Sequence, residues 1–491
     1  MIPPGVGPAG LDAAYRRGAR WSVVGSVGTT VLQILQMLLF ARLAGPAGVG
    51  DYALAATVIG FLSPLAEAGL SQAIVQARQT SSAMLATLAW INLALGTLLF
   101  GLLWALGPLL AGFYARPDLA GLLLVQGLAL LLTPFGEQQA ALLTRALRFR
   151  ALAVIEIAAW SGALLCTVAL AAQGWGPWAM ALGFVLRCAL ATAGYLLAAH
   201  ALQPVNLLKT SSLRSVWPYL RFGFFDLSAR WADFLANYLD KLIVGKWLGT
   251  TALGYYQLAF TLLLLPTARL GYMITRVTFP MYALLRTDIT RIQDIFKRTA
   301  TQALLLLLPV YAGIALFSVE IVQLCFGSDW RPAAPLLVIF SVAGLVRTVA
   351  VPFPELLKGL GRPQLLLAWM LVFTLALNLS LALFLTLHPT LPAAAWSRVA
   401  VKFGLELAML AWLARQCGLQ LAPVLRMAVR VVIGLLPAVA ATWLAGQVQG
   451  DFWPVLGLKA TVFGLGLLWF VFRSSVRETV AALVSGGKSS A

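Results

Sequence analysis

Histidine is almost missing from this 491-residue sequence: only His200 and His388 occur, too few for a histidine metal centre or a histidine-based catalytic apparatus. The four cysteines, at 166, 188, 325 and 417, form no Cys-x-x-Cys pair and no regular spacing, so neither a disulfide framework nor a thiolate metal site is expected. No metal and no cofactor is expected at all. The phosphate-binding pattern Gly-x-x-x-x-Gly-Lys-Ser/Thr is absent, since the Gly-Gly-Lys-Ser-Ser at 486–490 lacks the first glycine. Energy for any transport must then come from an ion gradient or the membrane potential. Charge is scarce, at 11% of residues against about 25% in soluble proteins. Long polar loops are also lacking, which argues against a membrane glycosyltransferase or ligase, whose catalytic groups need such a platform.

What remains is apolar: 61% of residues are hydrophobic and the mean hydropathy is +0.89. Runs of spanning length fall near 21–41, 49–70, 85–111, 119–143, 152–172, 177–199, 219–245, 250–275, 299–319, 333–357, 364–386, 393–414, 427–446 and 453–472. Each is long enough for a hydrocarbon core of about 30 Å. The expected fold is therefore all-α, a polytopic integral membrane protein of about fourteen transmembrane helices. The net charge of +18 would suggest nucleic acid in a soluble chain. Here the basic residues fall on one side of the spans, with Arg16, Arg17 and Arg20 before the first and Arg473, Arg477 and Lys488 after the last, whereas the other side receives only Arg42, Arg116, Lys246 and Arg331. By the positive-inside rule both termini are expected in the cytoplasm, and no nucleic-acid partner is expected.

The chain repeats itself. Residues 41–55, ARLAGPAGVGDYALA, match 245–259, GKWLGTTALGYYQLA, so that Arg42, Gly45, Gly50, Tyr52 and Leu54 pair with Lys246, Gly249, Gly254, Tyr256 and Leu258 at a constant offset. Further on, Pro134-Phe135-Gly136-Glu137 answers Pro352-Phe353-Pro354-Glu355, and Arg116-Pro117 answers Arg331-Pro332. Repeats that run in the same direction imply two pseudo-symmetric six-helix lobes in parallel orientation. The expected division is a cytoplasmic segment 1–20, an N-lobe 21–200, a cytoplasmic linker 201–218, a C-lobe 219–415, helices 13 and 14 within 424–473, and a cytoplasmic tail 474–491.

The seventh run carries the chemistry. Asp226, Arg230, Asp233, Asn237 and Asp240 follow at steps of four and three, which keeps them on one helical face in a stripe roughly 21 Å long. Such a stripe is expected to face protein or a water-filled cavity, since ionisable groups are costly against lipid. A structural seam, with Asp226, Arg230 and Asp233 pairing along the helix, is the alternative. At the repeat offset the first helix presents Ser22, Ser26, Thr29, Gln33 and Gln36, a matching polar stripe. Arg230, Lys241, Arg269 and Arg347 are the expected cationic groups of a substrate cavity, with Ser22, Ser26, Gln33, Gln36 and Asn237 as its hydrogen-bonding wall. Asp226, Asp233 and Asp240 are the candidates for binding a proton or cation. Pro64 and Pro266, at similar places in the second and eighth helices, are candidate hinges. Other charges at membrane depth include Glu67, Glu137, Glu156, Arg187, Glu355 and Glu406, and Arg398 and Lys402 are read as side chains snorkelling from helix ends.

The Arg-Leu-x-Gly-Pro turn, the following DYALA, AEAGLSQAIVQ and AxLAWINLALG stretches, and NYLDKLIVGKWLG, ALGYYQLAF, FPMYALL and FGSDWRPAAPLL in the second half together resemble polysaccharide-type flippases over roughly residues 15–430. These form the Wzx-type oligosaccharide and polysaccharide branch of the multidrug, oligosaccharidyl-lipid and polysaccharide exporter superfamily. The resemblance implies a flippase in the bacterial inner membrane that moves undecaprenyl-pyrophosphate-linked oligosaccharides between leaflets by alternating access, for surface polysaccharide such as lipopolysaccharide or exopolysaccharide. It also implies a groove for the lipid tail at helices 13 and 14, and a polysaccharide polymerase and other assembly proteins as partners. Asp226 and Asp233 belong to no pattern carried over from the family. A cation-coupled multidrug or lipid II-type exporter of the same superfamily is the alternative; its drug-extruding form calls for an acidic cavity.

Overall fold

A computed structural model describes residues 8–472 apart from 68, 77–80, 201, 203–209, 272–277, 279–280, 283–284, 286–287, 362, 419 and 449–451, together with some side chains inside the helices. The described residues are helical almost throughout and contain no strand, as hydrocarbon demands of a backbone that must satisfy its own hydrogen bonds. In order they are α1 (Pro8–Glu67), α2 (Leu70–Gln76), α3 (Ser82–Tyr114), α4 (Asp118–Arg145), α5 (Phe149–Ala172), α6 (Pro177–His200), α7 (Leu213–Pro266), α8 (Ile289–Leu316), α9 (Ser318–Phe326), α10 (Ala334–Ala350), α11 (Phe353–Gly359), α12 (Pro363–Leu387), α13 (Leu391–Cys417), α14 (Ala422–Ala445) and α15 (Phe452–Phe472).

Two helices are far longer than a bilayer is thick: α1 has 60 residues and α7 has 54. Each is broken once, α1 at Gly45 (φ 67, ψ −179) and α7 at Gly249 (φ 80, ψ 175). That backbone is open to glycine because it has no Cβ. The two breaks are the repeat-related glycines, so the sequence repeat is also a repeat of conformation. Among the described residues eleven helical stretches are long and apolar enough to cross a membrane. Dividing α1 and α7 at their glycines, and adding α13, brings the helices of crossing length to about the number expected. α13 is not among the eleven, and it carries ionisable residues along its middle.

Elsewhere the elements depart from the expected runs. The first helix begins by Pro8 and so takes in part of the expected 1–20 segment. The run expected over 333–357 is divided into α10 and α11, because Pro352 and Pro354 deprive the chain of two backbone donors. After Pro266 the eighth run passes into a π-helical turn, Thr267–Gly271. Tyr311 fills the irregularity there. It is fully buried, and its hydroxyl donates to the Leu263 carbonyl at 3.1 Å.

By its internal contacts the chain forms two compact units, Met1–Gly254 and Tyr255–Ala491. In the first, α4, α5 and α6 pack on one another and on α1, through small buried residues such as Ala159, Ala163, Ala191 and Ala199 that let helices approach closely without a hydrophobic drive between them. In the second, α8, α11, α13, α14 and α15 share a core around Phe296, Phe353, Leu410, Leu435 and Phe470, and α13 packs against α10 and α12.

Candidate functional site

Among the described residues α13 carries three ionisable side chains along its middle. The Thr390 hydroxyl caps its first turn by accepting the Ala393 amide, Pro392 fits the position where no donor is needed, and Gly418 ends it in the left-handed region (φ 63). Between those stops Arg398, Lys402 and Glu406 stand four residues apart, one above another on a single face.

Their surroundings are dry. Arg398 is 8% exposed and its guanidinium lies 5.4 Å from the centre of the Phe260 ring. Lys402 Nζ is 3.8 Å from Glu406 Oε1, an ion pair too long for a hydrogen bond. Glu406 is 4% exposed, and its Oε2 is enclosed without a hydrogen-bond partner. From α10 the half-buried Arg347 acts on the charge of both Lys402 and Glu406, and Arg398 on that of Lys402. Lys402 thus lies among Arg347, Arg398 and Glu406, and buried charge of this kind is costly unless compensated.

A second charged group, in the first unit, is internally balanced. Tyr195 donates its hydroxyl to Glu156 Oε1, Arg187 lies 4.0 Å from Glu156 Oε2, and the guanidinium sits over Trp160 at 5.0 Å and Phe184 at 5.6 Å. This group joins α5 to α6 and reads as a seam.

The expected site residues are divided between these surroundings. Arg347 belongs to the α13 cluster. Lys241 is buried, with its ammonium 4.1 Å from the centre of the Tyr238 ring, and Asp240 beside it is buried as well. Gln36 turns into α1's contact with α5, where its Nε2 donates to Thr167 Oγ1 at 2.7 Å, whereas Ser22, Ser26 and Gln33 are exposed. Pro64 lies within α1, and Pro266 ends α7 at the π-helical turn. The side chains of Asp226, Arg230, Asp233, Asn237 and Arg269 lie outside the described residues. Arg398 and Lys402 do not snorkel. They sit about two turns and about three turns inside α13, Arg398 buried and Lys402 half-buried, so the reading of them as helix-end residues is corrected. Their spacing was visible in the sequence as three charges at steps of four in an otherwise apolar run.

An apolar groove of about 480 Å³ lies between α8, α9 and α15, lined by Val310, Ile314, Phe317, Leu324, Phe463 and Leu467. Glu320 also borders it, and Lys459 of α15 bonds both to Glu320 Oε1 and, at 2.8 Å, to the carbonyl of Leu316 at the end of α8. Among the described residues no group of three or more His, Cys, Asp or Glu is placed to hold a metal ion.

Comparison with known proteins agrees with this architecture. A family model described as polysaccharide biosynthesis protein matches residues 39–335. The chain is 30% identical over 347 residues, 70% of each protein, to the lipopolysaccharide biosynthesis protein WzxC of Escherichia coli K12. It is 28% identical over 365 residues, 72% of each, to the teichuronic acid biosynthesis protein TuaB of Bacillus subtilis. In fold it is similar to the lipid II flippase MurJ in an inward closed conformation, with a TM-score of 0.77 at 14% identity, covering 94% of this chain and 100% of that one.

Proposed function

The chain belongs to the polysaccharide biosynthesis protein family, and on that premise we propose that it is a flippase which moves undecaprenyl-pyrophosphate-linked oligosaccharide units across the bacterial inner membrane by alternating access, for surface polysaccharide assembly. The observation that carries this reading is the set of Arg347, Arg398 and Glu406 whose charges act on Lys402 in the second unit. A pyrophosphate diester carries two negative charges, and guanidinium groups suit phosphoryl oxygens. A multidrug extruder of cationic amphiphiles calls for the opposite sign of charge. The chain is a transporter and not an enzyme in this reading, with a lipid-linked oligosaccharide as substrate and a polymerase and other assembly proteins as partners.

Both termini are cytoplasmic in this reading, which the one-sided distribution of Lys and Arg supports. The two lobes rock about the repeat axis, with Pro64 and Pro266 as flex points. Lys241, Arg230 and Arg269 add cationic groups to the path, Ser22, Ser26, Gln33, Gln36 and Asn237 hydrogen-bond the glycan, and Asp226, Asp233 and Asp240 hold the coupling cation. The groove beside α15 receives part of the polyprenyl chain, whose burial there is favoured by shape and not by charge. Reconstitution in vesicles containing a lipid-linked glycan, with leaflet exchange followed over time, tests the reading. Exchange that depends on the protein supports it, and expulsion of a soluble amphiphile without lipid exchange overturns it.

A further inference from the structure

An open cavity of about 630 Å³ lies in the first unit where the start of α5 meets α1, lined by Trp21 of α1, by Leu147 and Arg148 of the turn between α4 and α5, and by Arg150 and Val154 of α5. Its volume is that of a small-ligand pocket, and none of these residues belongs to the proposed transport path. α1 comes this close to α5 because Gly18 has no side chain: a Cβ there would lie 2.7 Å from the Phe149 ring. The walls are cationic on one side. Arg148 and Arg150 are exposed, and the Arg150 guanidinium lies 5.5 Å from the centre of the Trp21 ring, a cation–π contact that steadies the group and leaves its N–H edge to donate. Among the described residues neither arginine pairs with a carboxylate. The sequence offers none along these segments, since no Asp or Glu occurs between Asp12 and Asp51 or between Glu137 and Glu156, and Glu156 is engaged by Tyr195 and Arg187. The remaining walls are apolar. Val154 is exposed, and Leu147 is 51% exposed and held at φ 56, where few residues other than glycine are found.

We propose that this cavity is a binding site for an anionic glycerophospholipid of the bilayer, in the leaflet that the basic residues face, with its phosphate held by Arg148 and Arg150 and the upper part of an acyl chain against Leu147 and Val154. The proposal rests on the membrane-spanning fold and is independent of the flippase reading. Depth supports it: Trp21 stands where the first apolar run begins, and tryptophan collects at the boundary between headgroups and acyl chains. Unpaired arginines beside exposed Leu147 and Val154 match a ligand that is anionic at one end and apolar at the other. Guanidinium groups donate in the plane that phosphoryl oxygens accept, and basic pockets at this level draw anionic lipid out of the bilayer. A zwitterionic lipid brings its own ammonium to a wall that is already cationic, so the site discriminates by headgroup charge. A bound lipid joins the turn before α5 to Trp21, and thereby braces the packing of α1 on α5.

The test uses the purified full chain in phosphatidylcholine nanodiscs doped with phosphatidylglycerol that carries a photoactivatable group beside its phosphate, with the cross-linked peptides mapped. Cross-links are expected at Trp21 and within residues 147–154, and a phosphatidylcholine probe of the same design should label these positions about fivefold less or weaker still. Arg148→Gln and Arg150→Gln should each lower the phosphatidylglycerol label about fivefold, whereas Arg148→Lys combined with Arg150→Lys, which keeps the charge, should retain most of it. A melting curve in the same discs shows that each variant is folded. Should the glutamine variants fail to fold, the comparison of the two lipids on the wild type decides. Equal labelling by the two lipids overturns the proposal, as does a label that persists when both arginines are replaced by glutamine. Loss of the label on adding a short-chain prenyl pyrophosphoryl monosaccharide also overturns it and assigns the cavity to the transported headgroup, and loss on adding inorganic phosphate alone makes it a site for the free anion.

Discussion

Gly50 and Gly254, which occupy the same place in the two repeats, clasp one another's turns. A Cβ at Gly50 would lie 1.7 Å from the carbonyl oxygen of Thr250, and one at Gly254 would lie 2.0 Å from that of Pro46. Pro46 and Thr250 are themselves repeat partners, so the contact is reciprocal, as at a twofold axis. Around it Arg116 bonds to Thr250 and pairs with Asp51 at 3.6 Å, and Lys246 bonds to the Phe113 carbonyl. Either glycine replaced by alanine has to push backbone aside. Gly50→Ala and Gly254→Ala should each lose about 1 to 3 kcal/mol of stability, the usual cost of overpacking, whereas Gly101→Ala, with open space around it, should lose none. Thermal unfolding in detergent measures the difference.

The clasp also fixes which positions report on topology. Ala47 and Thr251 are exposed beside it, whereas Thr250 is buried. In a cysteine-free background, Ala47→Cys and Thr251→Cys should both react with an impermeant thiol reagent added outside intact cells, and Ser81→Cys should not. Labelling of the first two from opposite faces would end the parallel-repeat reading.

Arg398 and Lys402 should be required for transport and dispensable for insertion. A charge-assisted phosphate contact contributes about 1.5 to 3 kcal/mol, so Arg398→Ala and Lys402→Ala should each slow lipid exchange by roughly one to two orders of magnitude at limiting substrate. Membrane levels and the melting curve serve as controls. Normal exchange in both variants would place the headgroup elsewhere.

The Lys459 to Glu320 pair makes a separable claim about stability. Both side chains are about nine-tenths buried, and Glu320 Oε2 has no hydrogen-bond partner. Lys459→Met strands a buried carboxylate and should cost about 3 to 5 kcal/mol, whereas Lys459→Met combined with Glu320→Gln should recover much of that loss. Thermal unfolding of the two variants compares them.

Much of the fold was legible in the sequence because a bilayer leaves the backbone few choices: apolar length, the one-sided basic residues and the Gly45 and Gly249 repeat all point to one kind of architecture. The site was less so. A stripe such as Asp226 to Asp240 announces itself through spacing, and the same rule applied to Arg398, Lys402 and Glu406 marks them too. What spacing alone does not give is depth. α13 starts at Leu391, so Lys402 falls near its middle and not at its end. Nor does the pattern show that Gln36 spends its amide on Thr167, a partner 131 residues away.

The charge on α13 also bears on how the protein is made. Three ionisable residues near the centre of a helix cost about 2.5 to 3.5 kcal/mol each on the scale that governs release from the translocon. α13 cannot be expected to partition into lipid unaided. Only three residues, His388 to Thr390, separate it from α12, whose mean hydropathy of 2.2 marks a strongly inserting segment. The two should therefore enter as one hairpin, α12 carrying α13. Shortening the apolar run of α12 is then expected to impair insertion of α13 as well, which membrane-level assays of the variant would show.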